Sequence, residues 1–381
     1  MESYRKILKT KRRNNCEEKQ NRIEKSGHSY PDFFILKGEI PLRRVKGVYH
    51  KTFYCNDLCN LSDGDHVLDI FLLTDIQYCS NDRGIKWLSA TLEDITGVIR
   101  AKIWSDKILM EYEGFKSQIV FAGGTVNYYA GKPEITIDKM VLAKVGEYEI
   151  TEVIKTLSNE KIQVYKEQVL GMIENISSQE LRKFVSFLIS EKTLILMSEL
   201  PVHLTGHHAY RGALLEHVSE VVTGAYTYVK STSIVRGIKC NLDIVIAGAL
   251  LHDIGCTERF KKEGFCFSLK EEQKILSSKY LTCMLLETAR RNVQLNTELF
   301  SQLYHVVETS HQGLEPSTLE AMVVHSNNQL SAELDFYENS CLGTAITTES
   351  VDIIWSKDLK RELYRIRGKK KNGESSSVTK N

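Results

Sequence analysis

The period of apolar positions changes once along this chain. From His66 to Leu142 it is that of strands. His66–Tyr78 (HVLDIFLLTDIQY) is a long run rich in β-forming residues, and Ser80–Gly84 (SNDRG) is a turn cluster. Trp87–Leu92 alternates, with Leu88, Ala90 and Leu92 on one side, and Asp94–Gly97 (DITG) is the next turn. Val98–Trp104 alternates strictly: Ile99, Ala101 and Ile103 lie on one face, Arg100, Lys102 and Trp104 on the other. Ile119–Tyr129 and Glu134–Leu142 form a last pair, joined at Ala130–Pro133. A short helical segment near Asp106–Glu113 separates the third strand from the fourth. From Thr151 the spacing lengthens. Val153, Ile154, Leu157, Ile162, Val169, Ile173, Leu181, Phe184 and Leu188 recur every three to four residues, which predicts helices.

Five strands with a helix between the third and fourth match the order of an OB-fold barrel, here over 64–145. Helices over 150–200 would connect it to a second, all-α domain at 201–340. The fold class is therefore α+β and multidomain. The first residues, 1–63, read as a basic, partly disordered region, with KTKRRNN at Lys9–Asn15. The end, 341–381, reads as a charged tail that becomes low-complexity (RGKKKNGESSSVTKN).

The candidate chemistry lies in the second domain. His217 shares a helical apolar face with Leu214, Val218, Val221, Val222, Ala225 and Val229, so it points inward. Ile244–Leu251 is almost wholly apolar and reads as a buried helix. It ends in His252–Asp253, with Gly255 as the stop. Two adjacent ligand-type residues at the end of a buried helix need partners, because an unpaired buried charge is costly. A divalent metal with His217 as third ligand satisfies them; ordinary core hydrogen bonds are the alternative. Of eleven histidines, eight lie between His203 and His325, a local excess that packing alone does not explain.

Composition narrows the rest. The net charge of +1 implies no partner from global electrostatics, so any nucleic-acid attraction is local. Arg100, Lys102, Trp104, Tyr128, Tyr129 and Lys132 supply the backbone charge and base-stacking rings by which an OB barrel binds single strands. The alternative is that Trp104 is barrel packing and the cations a solvated face. The nine cysteines are scattered; Cys55 and Cys59 have no second pair to complete a zinc framework, which fits reduced thiols in the cytoplasm. No apolar run reaches the ~20 residues of a membrane span.

The motifs HHAYRGALLEHV (His207–Val218), AGALLHDIG (Ala247–Gly255), SHQG (Ser310–Gly313) and EAMVVHSNNQLSAEL (Glu320–Leu334) resemble the HD superfamily. More narrowly, with SATLEDITGVIRAKIWSD in the barrel, they resemble the YhaM-type 3′–5′ exoribonucleases, in which an OB-fold domain precedes an HD domain. The resemblance implies an HD metal-dependent phosphohydrolase domain at 201–340 that removes nucleotides from the 3′ end of single-stranded RNA or DNA. It implies Mn²⁺ or Mg²⁺ as cofactor, His217, His252, Asp253 and His311 as ligands, and a homo-oligomer. Asp253 and His252 would carry the catalysis. The family's last ligand, an aspartate in H-x-x-D-x-L-D-A, falls on Asn328 of HSNNQLSA. Gln312 replaces the second histidine of Ser-His-His-Gly, Ser277–Ser278 stands near an expected Gly-His pair, and Cys256 replaces the lysine after His-Asp-x-Gly. The reduced set is matched to one ion. Competing readings are a weakened HD protein that binds single strands through its barrel, and an HD nucleotide phosphohydrolase.

Overall fold

The computed structural model describes residues 43–104, 115–311, 313–342 and 351–366. The segment expected to be helical near Asp106–Glu113, Gln312, the basic stretch before Arg43 and the low-complexity end lie outside the described residues. The chain divides into two compact units, Met1–Val153 and Ile154–Asn381.

In the first unit, β1 (Arg43–Val45) and β2 (Val48–His50) form a short antiparallel hairpin. A 3₁₀ turn follows at Cys55–Asn60. Then come β3 (His66–Ser80), β4 (Lys86–Asp94), β5 (Gly97–Ile103), β6 (Gln118–Tyr129) and β7 (Lys132–Leu142), which close into a barrel in the order β3-β4-β5-β7-β6. All neighbours are antiparallel except β5 and β7, which run parallel. This is the OB arrangement that the strand pattern predicts. The alternation sets the interior: Phe71 and Leu73, Leu88 and Leu92, Ile99 and Ile103, Val126, Ile135 and Ile137 fill it. At Gly124, beside a register shift in β6, an added Cβ would stand 2.1 Å from the Thr136 carbonyl oxygen, so only glycine lets the two backbones meet there.

A buried ionic group fastens the segment before the barrel to its wall. The side chains of Lys51, Asp69 and Asp94 are fully buried, and Lys51 Nζ lies 3.3 Å from Asp94 and 3.9 Å from Asp69. The same ammonium donates to the Ile70 carbonyl and sits 3.7 Å from the centre of the Phe71 ring. The Asp69 carboxylate accepts from the backbone N–H groups of Thr52 and Phe53, and that of Asp94 from Cys55. Each charge is thus paired and hydrogen-bonded, the condition under which burial is tolerated.

The second unit is built from α1 (Asn159–Glu174), α2 (Gln179–Leu188), α3 (Glu191–Met197), α4 (Ala213–Arg236), α5 (Leu242–Leu251), α6 (Cys256–Arg259), α7 (Ser278–Asn292), α8 (Thr297–Glu308) and α9 (Leu319–Leu342). The connector helices α1 to α3 share one apolar core with α4, α5, α7, α8 and α9. α5 is buried from Ile244 to its end at Leu251, as the unbroken apolar run there requires. The unit is not wholly helical. A small hairpin, β8 (Phe260–Glu263) with β9 (Cys266–Leu269), follows α6. A second, β10 (Val351–Ser356) with β11 (Arg361–Ile366), occupies part of the stretch read as a charged tail. VDIIW does not alternate in polarity: Ile354 is buried while Ile353 and Trp355 are exposed, so the strand carried no period to read. No helix among the described residues is long and apolar enough to cross a membrane.

Removing the Lys51 ammonium leaves two buried carboxylates without their counter-ion. Lys51→Met is expected to destabilise the first unit by about 3–5 kcal/mol. Urea unfolding followed by the fluorescence of Trp87 and Trp104 measures this; an unchanged midpoint would rule out the ionic group as the fastening.

Candidate metal centre

Three elements bring the predicted ligands together. α4 carries His217, and Gly212 at φ +87° lets the chain turn into its first residue. α5 ends directly at His252, and Asp253 follows in the turn to α6. His311 comes from the loop after α8. His217, His252 and Asp253 are fully buried.

Their second atoms decide what they offer. His252 Nδ1 donates to the Ala249 carbonyl at 2.8 Å. His217 Nδ1 lies 3.0 Å from Ser331 Oγ, and that hydroxyl donates to Glu220 Oε2 at 2.6 Å. With its own proton committed to Glu220, Ser331 accepts from His217 Nδ1. Both rings therefore carry their proton on Nδ1 and present a bare lone pair at Nε2. Those two Nε2 atoms face each other at 3.1 Å. Asp253 Oδ2 is 3.6 Å from one and 3.5 Å from the other, and it has no hydrogen-bond donor. Two lone pairs and an unpaired carboxylate oxygen converging on one point repel one another unless a cation lies between them. The donor set fits a divalent ion, with His217, His252 and Asp253 as ligands.

The charge states agree. Burial drives the pKa of His217 well below its ordinary value and lowers that of His252. Burial alone would raise Asp253, but the facing His311 outweighs it and the carboxyl is held well below the usual range. At His311, burial is outweighed by the Asp253 carboxylate, 3.2 Å from its Nε2, and the pKa is raised. His311 is 28 % exposed and forms the solvent side of the centre.

Asn328, Cys256 and Ser278, which stand where the resemblance expects other residues, make structural contacts. Asn328 is buried, but its amide nitrogen turns to the Ser310 carbonyl at 2.8 Å and lies 3.4 Å from His311 Nδ1. The Cys256 thiol, pushed well above its ordinary pKa by burial, donates to Asp253 Oδ1 at 3.8 Å. Ser278 opens α7, and its carbonyl packs against Gly255. Gly255 itself is not the left-handed helix stop expected from the sequence: its φ is −61°. A Cβ there would lie 2.3 Å from the Ser278 carbonyl oxygen and 2.5 Å from the Thr282 nitrogen, so its role is close approach.

Other residues at the centre were not singled out by the sequence pattern. His203, His207 and His208 cluster edge-on or tilted beside His217, with ring centroids 4.6 Å apart for the first two and 4.7 Å for His208 and His217. Burial pulls the His207 pKa to about 4. Glu216, next to His217, accepts from Tyr165 at 2.9 Å and from Tyr210. The local excess of histidine was the signal for the first group; nothing short of the fold pairs Glu220 with Ser331.

On the barrel, the expected strand-binding residues share the outer face only in part. Arg100 and Trp104 are exposed, and Lys102 is half-buried beside them on β5. Lys102 reaches Glu134 at 2.7 Å and lies over the Tyr129 ring at 5.1 Å, so its charge is partly spent within the barrel. The Tyr128 hydroxyl donates to the Leu61 carbonyl at 2.8 Å, and Lys132 opens β7. Trp87, from β4, stands 5.4 Å from Trp104, a neighbour that strand alternation alone did not connect.

Asn328→Asp removes the donor to the Ser310 carbonyl and adds a charged oxygen near the centre. The variant is expected to be less stable by about 1 kcal/mol and to bind Mn²⁺ more tightly. Thermal unfolding in EDTA and calorimetric titration read the two effects separately; equal or weaker Mn²⁺ affinity would remove position 328 from the ligand shell.

No protein-family model matches the chain. A dihydroneopterin 2′,3′-cyclic phosphate phosphodiesterase of Methanocaldococcus jannaschii is 28 % identical over 179 residues, 44 % of this chain and 70 % of that protein. The 3′–5′ exoribonuclease YhaM of Bacillus subtilis is 22 % identical over 266 residues, 68 % of this chain and 82 % of the relative. Among solved structures, the second OB-fold domain of replication protein A from Methanococcus maripaludis aligns with 25 % of this chain and 95 % of its own, at 21 % identity and a TM-score of 0.20. The match to YhaM is longer than either structural unit and so extends into both. The chain is thus similar to the 3′–5′ exoribonuclease YhaM over parts of both units, the OB-type barrel and the helical unit that follows it in sequence.

Proposed function

We propose that this protein is a metal-dependent phosphodiesterase that shortens single-stranded RNA from its 3′ end. The observation that carries the reading is the pair of Nε2 lone pairs on His217 and His252, 3.1 Å apart, with the unpaired Asp253 oxygen beside them. Similarity to an exoribonuclease and to a cyclic-phosphate phosphodiesterase supports phosphodiester cleavage as the reaction class.

Bound there, a divalent ion supplies a Lewis acid for a phosphoryl oxygen and a water of lowered pKa. The chain's own residues do the rest. Ser331 and Ala249 fix the tautomers of His217 and His252. Asp253 Oδ2, which has no donor of its own, orients the attacking water. His311, on the solvent side with its pKa raised, meets the scissile phosphate. The barrel supplies grip: Trp87 and Trp104 offer faces to bases, and Arg100 offers charge to the backbone. A second reading, in which the barrel binds single strands while the helical unit no longer cleaves, is favoured by the amide of Asn328 facing Ser310 where a carboxylate ligand was expected.

The deciding experiment incubates 5′-labelled single-stranded RNA with the protein and Mn²⁺, beside an EDTA control and His252→Ala. A ladder shortening from the 3′ end, absent from both controls, is the expected result. An intact RNA with retarded mobility would replace it with the binding reading, and cleavage by His252→Ala would remove the centre from the chemistry.

The barrel has its own test. Trp104→Ala is expected to weaken binding of a single-stranded oligonucleotide by about 1–3 kcal/mol, the usual contribution of one stacked base. Fluorescence anisotropy measures this, and an unchanged affinity would place the strand elsewhere.

A further inference from the structure

Beside the first triangle lies another, within His207–Val218, two of whose members the proposed chemistry does not use. His207, His208 and His217 each offer a ligand atom, and these atoms all lie within 4.8 Å of one another. His208 and His217 are buried, and His207 is half-buried. The Nδ1 atoms of His207 and His208 are 3.1 Å apart. His208 Nε2 stands 3.7 Å from the Glu220 carboxylate, too far for a hydrogen bond.

The backbone is arranged to hold this geometry. His208 has φ +51°, the left-handed region that a non-glycine residue occupies only when its surroundings impose it. What imposes it is Asp335, whose carboxylate accepts the His208 N–H at 2.7 Å. Asp335 is held in turn by Lys155 at 2.8 Å and by the Asn339 amide at 2.8 Å. A strained residue clamped by a charged network, with its ring turned toward two other imidazoles, is more structure than core packing needs.

We propose that His207, His208 and His217 form a second cation subsite adjoining the first, with Glu220 at its edge. The inference rests on reading His217, His252 and Asp253 as a metal centre, because His217 belongs to both triangles. Three imidazoles favour a cation such as Zn²⁺ or Co²⁺ over Mg²⁺, which prefers oxygen. A neutral imidazole with its Nδ1 proton committed has one lone pair, so His217 serves one ion at a time. When the first triangle is disabled, His217 is free to serve the second.

The test uses the full chain, stripped with EDTA and titrated with Co²⁺. Visible absorption reports coordination, and elemental analysis after gel filtration reports stoichiometry. His252→Ala and, separately, Asp253→Asn disable the first triangle; far-UV circular dichroism checks that each is folded. Either folded variant is expected to retain one equivalent of Co²⁺, and adding His208→Asn to it is expected to abolish that equivalent. Retention of Co²⁺ by the His208→Asn double variant would overturn the second subsite. So would complete loss of Co²⁺ in both folded single variants while the wild-type protein binds it, and in that case the first centre stands. A wild-type protein that binds no Co²⁺ would overturn both.

Discussion

The helical unit depends on one electrostatic constraint: two imidazole nitrogens without protons, turned toward each other in a buried space. Everything around them maintains it. The Ala249 carbonyl takes one Nδ1 proton, and the Ser331 hydroxyl takes the other because Glu220 has already claimed its own hydrogen. Exchanging either tautomer would place a proton between the rings and turn the repulsion into a hydrogen bond. The fold holds them against that outcome, and Asp253 adds a buried negative charge at the same point. Such an arrangement is stable when positive charge is supplied from outside the chain.

The residues around that constraint bring packing and neutral hydrogen bonds rather than further charge. The three atoms that converge come from α4 and the end of α5, whereas Cys256, Ser278 and Asn328 stand on α6, α7 and α9. Asn328 no longer points a charge inward but ties the His311 loop to α9 through the Ser310 carbonyl. Cys256 contributes a weak, neutral thiol hydrogen bond to Asp253.

Much of this was legible in the sequence, because the decisive signals were periodic. Strict alternation from Val98 to Trp104 and turn clusters at Ser80–Gly84 and Asp94–Gly97 placed three barrel strands to within a few residues. The inward direction of His217 followed from its apolar neighbours. The parts that escaped depend on contacts distant in sequence or on backbone geometry. Lys51 meets Asp94 across 43 positions, and nothing local in either neighbourhood announces a buried ion pair. Glu220 and Ser331 meet across 111. Gly255 resembled a helix stop because glycine serves both as a left-handed terminator and as a point of close approach, and only the opposing chain distinguishes them.

The close approach at Gly255 has a mechanical side. The Thr282 hydroxyl accepts the Gly255 N–H at 3.0 Å and lies 3.4 Å from the His252 carbonyl, so α7 grips the loop that carries the His-Asp pair by its main chain. The grip needs the Thr282 hydroxyl and the bare main chain of Gly255, and no side chain of the pair itself takes part in it. The pair is therefore indexed to α7 as a gear tooth is to its rack: a tilt of that helix moves His252 and Asp253 together, while changes at the solvent side leave them where they are. This joint keeps His252 and Asp253 in register with each other.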